Sequence, residues 1–156
     1  MFGLFRKKDS IDLELLTEKQ IVQLVKENGF EKGGDILREA ANRGNLPSQC
    51  FLSIMYLKEL DKNHEEKLIR LFEENAEYFT KLAAKQSDID SQFNLGKFYL
   101  SKGFKKMNES NGHYTKESKD FFNKAEFWYR AAAKQGHKIA SEALNDLAET
   151  FEISKN

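Results

Sequence analysis

Residues 127–146 read FWYRAAAKQGHKIASEALND: aromatic bulk, three alanines, a charged corner with a glycine, then a second apolar-periodic run. Alanine beside large aromatics suits two helices packed closely, with small side chains letting the backbones approach and rings filling the wider end. The same arrangement occurs upstream. REAANRGNLPSQCFLSIMY (38–56), KLAAKQSDIDSQFNLGKFY (81–99) and RAAAKQGHKIASEALNDLA (130–148) superpose without a gap. Ala40, Ala83 and Ala132 correspond, as do Ala41, Ala84 and Ala133, and Leu52, Leu95 and Leu144. Gln49 matches Gln92, and Tyr56 matches Tyr99, with Ala148 in the third copy. The copies lie 43 and 49 residues apart (Ala40 to Ala83 to Ala132), a spacing typical of helical-repeat arrays.

Around these copies the chain reads as helix throughout. Apolar residues recur at three and four: Leu68, Phe72, Ala76, Phe79, Leu82 and Ala83 in one stretch, Phe121, Ala125, Trp128, Tyr129 and Ala132 in another. There is one proline, Pro47, and no alternating β-branched segment of strand length. Gly29, Gly44, Gly103 and Gly136 mark the expected helix ends. Thr17–Gln20 (TEKQ) has the spacing of a capping box and is expected to open the first helix. A helix pair of this kind cannot bury its apolar face alone, so neighbours must stack. The expected fold is all-α: a right-handed superhelix, or solenoid, of antiparallel helix pairs, about seven helices in all. It forms one domain over 17–152, preceded by a flexible segment 1–16, with repeats near 36–57, 78–103 and 125–151.

The pattern resembles the Sel-one-like repeat, a relative of the tetratricopeptide repeat, whose signature runs A-x-x-W-Y-x-x-A-A-x-x-G-x-x-x-A-x-x-x-L-G-x-x-Y. The third copy matches it at Ala125, Trp128, Tyr129, Ala132, Ala133, Gly136, Ala140 and Leu144. The second matches at Tyr78, Ala83, Ala84, Leu95, Gly96 and Tyr99, and the first at Ala40, Ala41, Gly44, Leu52 and Tyr56. Ser87 stands where the corner glycine belongs, which predicts a rebuilt corner there, since a left-handed L-residue costs roughly 1–2 kcal/mol. Ser53 and Asn145 replace the glycine that Gly96 supplies.

Composition limits the function. Lys plus Arg and Asp plus Glu are 25 each in 156 residues, and this neutral balance, with no basic stripe, argues against nucleic acid. The single cysteine, Cys50, cannot form an internal disulfide, and the longest nearly apolar run, CFLSIMYL (50–57), is far short of a membrane span. The start, MFGLFRKK, has charges after the apolar stub, the reverse of a signal peptide. A cytoplasmic protein with no integral membrane segment is expected. Motif chemistry is sparse. His64, His113 and His137 have no metal-ligand spacing, and His137 reads as a capping residue after Gly136. Cys50 lies on an apolar helical run and reads as an inert thiol. EKGGD (31–35) is a turn, and the Glu pairs lie among lysines as solvated faces. No catalytic residue, cofactor or metal ligand is assigned, and an enzyme or an RNA-binding repeat is the disfavoured alternative.

The resemblance implies a scaffold for protein contacts, with the helices at 46–59, 89–102 and 138–151 lining a concave face. The residues it turns into that groove are Cys50, Ile54, Leu57 and Lys58 in copy one, and Phe93, Lys97, Leu100 and Ser101 in copy two. Glu142, Asp146, Glu149 and Thr150 follow in copy three. Such a row suits an amphipathic helix or peptide, unless the first helix (18–28), whose Ile21, Val22, Leu24 and Val25 need burial, covers it. A polar insertion at 104–120, with Phe104, Met107 and Tyr114 as apolar handles, is either a second contact site or disordered. The partner is a protein: a toxin neutralised by an immunity protein, or the peptide motif of a protein bound by an adaptor or regulator.

Overall fold

A computed structural model describes residues 12–153. A short 3-10 turn (Leu13–Leu15) precedes six helices: α1 (Glu18–Asn42), α2 (Leu46–Leu60), α3 (Glu66–Lys85), α4 (Ile89–Glu109), α5 (Lys116–Lys134) and α6 (Lys138–Ile153). Among the described residues there is no strand. Each helix packs chiefly against the one before it and the one after it. The apolar stub at residues 1–8 lies outside the described residues.

The expected all-α class holds, with six helices in place of about seven. The first is broken at Gly29, whose φ of 68° and ψ of 171° no helix contains, so that two rods meet there. A Cβ on Gly33 would stand 3.2 Å from the Leu24 carbonyl oxygen, whereas nine residues of continuous helix would separate them by about 13 Å. The second rod therefore turns back over the end of the first. Thr17 opens α1 through the expected capping box: the Gln20 amide donates to Thr17 Oγ1 (3.4 Å) and the Thr17 amide to Gln20 Oε1 (2.9 Å).

The three aligned segments form one local structure three times. Ala40, Ala83 and Ala132 are wholly buried at helix ends. Two residues past each helix comes a positive φ: Gly44 at 99°, Ser87 at 67°, Gly136 at 92°. The amides of these residues donate to Ala41, Ala84 and Ala133 (3.1, 3.1 and 2.9 Å). The next amides, of Asn45, Asp88 and His137, donate to Ala40, Ala83 and Ala132 (3.0, 3.3 and 3.1 Å). This pair of bonds is the Schellman motif. The residue that completes it then caps the following helix, as Asn45, Asp88 and His137 accept from the amides of Ser48, Ser91 and Ala140 (2.9, 2.8 and 3.1 Å). Ser87 holds the same geometry as the two glycines, so the corner expected to be rebuilt is kept.

Glutamine side chains tie each corner to the next. Gln86 Nε2 donates to Gln49 Oε1 (2.8 Å) and the Gly44 carbonyl (2.9 Å), while Gln49 Nε2 donates to the Ala41 carbonyl (2.8 Å). One copy later, Gln135 reaches Gln92 Oε1 (2.8 Å) and the Ser87 carbonyl (3.2 Å), and Gln92 reaches the Ala84 carbonyl (3.2 Å). The ladder begins where Asn45 Nδ2 donates to the carbonyls of Glu14 (3.0 Å) and Leu16 (2.9 Å). Leu16 is 2% exposed, so the end of the segment expected to be flexible is anchored to the first corner, while Leu15 beside it stays 72% exposed.

Two expectations need correction. Gly103 ends no helix: it lies inside α4, where a Cβ would come 2.6 Å from the Phe122 ring. It is a close-approach glycine, set by the partner helix rather than by backbone conformation. The insertion at 104–120 also shrinks, because α4 runs to Glu109 and α5 starts at Lys116. Phe104 meets Phe122 edge-on (5.2 Å) and Tyr114 stacks on it (5.8 Å), which holds both helix ends together across residues 110–115.

Candidate protein-binding face

Side chains capable of chemistry are scattered. Among the described residues no three His, Cys, Asp or Glu side chains gather as a metal site would require. Cys50 is half-buried with its Sγ 3.8 Å from Ser91 Oγ, and burial, helped by the charge of Asp88, pushes its thiol up to about 11. It is protonated at neutral pH and a poor nucleophile there. His137 spends Nδ1 on the Ala140 amide and stacks on Phe93 at 4.3 Å. His64 Nε2 lies 3.1 Å from Glu59 and its ring packs edge-on against Phe72. Tyr99, whose phenol is pushed up first by burial and then by its bond to Glu77, donates to that carboxylate at 2.8 Å. No described helix is long and apolar enough to cross a membrane.

Two adjoining depressions mark the face formed by α2 and α4. The smaller, about 370 Å³, lies between Leu57, Leu60 and Asp61 of α2 and Asn94, Lys97, Phe98 and Ser101 of α4. The larger, about 710 Å³, runs along α4 past Lys97, Leu100, Ser101, Phe104, Lys105, Asn108 and Glu109. Lys97 and Ser101 belong to both. The Lys97 ammonium sits 5.8 Å from the Phe93 ring centroid and, among the described residues, makes no ion pair. The other charges of the larger depression are engaged: Lys105 with Glu73 at 3.2 Å, and Glu109 with Lys106 at 3.0 Å.

Of the groove residues read from the sequence, the structure brings Leu57, Lys97, Leu100 and Ser101 together around these depressions. Ile54 is 47% exposed and Lys58 is exposed, outside both. Phe93 is drawn into the joint between α4 and its successors, against Tyr129 (5.7 Å) and His137, with only partial exposure. Glu142, Asp146 and Glu149 are exposed on α6 and line neither depression. No residue of α1 lines them either: Ile21 and Leu24 are buried, while Val22 stays 58% exposed.

Leu60, Asp61, Asn94, Lys105, Asn108 and Glu109 also line the face and were not singled out from the sequence. Their spacing held the signal, because Asn94, Lys97, Ser101, Lys105 and Asn108 follow one another at three and four, the neighbours of one helical face. Reading 104–109 as loop broke that row in two.

Set against models of known protein families, against characterised proteins and against solved structures, the chain matches none.

Proposed function

We propose that this chain is a non-catalytic protein–protein interaction module. Its helix pairs form a right-handed superhelix of Sel-one-like type that binds a protein partner in the cytoplasm through the α2–α4 face. The repeat reading is supported by three corners sharing a Schellman motif and cap, and by the glutamine ladder joining them. The observation that carries the binding reading is the pair of open, adjoining depressions that share Lys97, an ammonium without a carboxylate partner among the described residues. Exposed apolar surface in a concave setting, with one charge to fix orientation, is the usual form of a helix- or peptide-binding groove.

Affinity capture from native lysate tests it, with wild type, Lys97→Glu and the exposed control Lys81→Glu as baits. Wild type and Lys81→Glu are expected to retain a partner that Lys97→Glu loses. Retention by all three baits would move the interface elsewhere. One stoichiometric, salt-resistant partner is what an immunity protein would yield, and several weak ones with a common motif what an adaptor would yield.

A further inference from the structure

The helices that line the proposed face are unequal. α2 has 15 residues and α4 has 21. In the repeat alignment Leu60, the end of α2, falls opposite Gly103, so Phe104–Glu109 of α4 have no counterpart on α2. The larger depression lies on this overhang: among the described residues α4 alone lines it, and through Lys97 and Ser101 it continues the smaller depression, whose wall is Leu57, Leu60 and Asp61 at the end of α2. Leu100 and Phe104, the latter 42% exposed, form its apolar floor.

Resting on the reading of this face as the partner-binding surface, we infer that the partner inserts an amphipathic helix bearing a carboxylate between large apolar side chains. This helix lies on the α4 overhang, with its carboxylate on Lys97. A helix fits because it satisfies its own backbone hydrogen bonds, and no strand edge exists among the described residues to pair with an extended peptide. The acid follows from charge complementarity: Lys105 and Glu109 already have partners, and among the described residues Lys97 does not. Asp61, in the end wall and likewise without an ion pair, disfavours a second acid there and so sets the direction in which the segment lies.

The test is selection of a displayed library of helix-forming peptides on the full-length protein, repeated on Lys97→Glu and on Ser101→Trp, which fills the trough from an exposed position. Wild type is expected to enrich peptides with Asp or Glu flanked by large apolar residues. These should bind Lys97→Glu roughly tenfold more weakly, and that variant should enrich Lys or Arg at the same place. Enriched peptides without an acidic preference, blocked by Ser101→Trp but indifferent to Lys97→Glu, would overturn the inference and leave the face standing. Peptides indifferent to both variants, or no enrichment at all, would overturn both.

Discussion

Where α2 meets α3, Ser53 faces Thr80; where α4 meets α5, Gly96 faces Tyr129. The repeat offsets make these equivalent places, yet they are filled in opposite ways. At the first joint the Ser53 and Thr80 hydroxyls lie 2.6 Å apart, and Thr80 passes its own proton to the Ala76 carbonyl at 2.6 Å, so Ser53 must be the donor to Thr80. At the second, Tyr129 lies so close to α4 that a Cβ on Gly96 would stand 2.5 Å from its ring. Two buried hydroxyls divide the space in one case, and a single ring takes all of it in the other. One joint is thus filled through a hydrogen bond worth about 1 kcal/mol net, the other by burial of one large side chain. The second joint braces α4, the helix that carries the candidate binding face.

The contrast between the two joints is tested most severely by Tyr129→Ala. Tyr129 is 1% exposed, and its loss should cost about 3–5 kcal/mol in denaturant unfolding. A loss below about 1 kcal/mol would mean the ring does not fill the joint. Gly96→Ala should cost about 1–2 kcal/mol, since overpacking against the ring outweighs the gain in helix propensity. In the Tyr129→Ala background the same change should become neutral or stabilising. A cost that persists there would show that Gly96 is needed for some reason other than Tyr129.

Smaller effects sharpen it. Ser53→Ala should cost about 0.5–1.5 kcal/mol, because Thr80 keeps its bond to the Ala76 carbonyl. At the corners, Ser87→Gly should stabilise by about 1 kcal/mol, relieving an L-residue held at a φ of 67°, while Gly136→Ala should destabilise by a similar amount. A destabilised Ser87→Gly would show that the serine side chain holds its corner. The smallest expected effect concerns pH. Burial raises the Cys50 thiol from its ordinary 9.0 to about 11, so its contribution to stability is full below the lower value and lost as pH rises through the upper. Alkylation at pH near 8 should therefore be at least about tenfold slower in the folded protein than in the unfolded chain. Equal rates would place the thiol in open solvent.

Much of this architecture was legible in the sequence because small residues are informative where backbones meet. The alanine pairs fixed the register of three copies, and Gly44 and Gly136 marked corners whose hydrogen bonding repeats. The role of Ser87 was harder to see, because the corner's bonds hold it in a conformation that its own side chain disfavours. Gly103 misled for a physical reason: a glycine needed for contact with Phe122 looks, along the chain, like one that ends a helix. That misreading turned the polar end of α4 into a loop, and with it half of the candidate face was lost. Gln86 and Gln135 occupy matching places in the alignment, but their reach to the preceding corner depends on stacking that only three dimensions display.

Site-specific crosslinking in cells shows whether the α2–α4 face receives a partner. A photoreactive residue is placed at Ser101, between the two depressions, and in a separate variant at Phe127, which is 63% exposed on α5 outside both. A discrete adduct from position 101, absent from position 127 and lost when Lys97→Glu is added, is the predicted result. An adduct from position 127 alone, or none from position 101, would contradict it; one at position 101 that survives Lys97→Glu would keep the face and remove Lys97 from it.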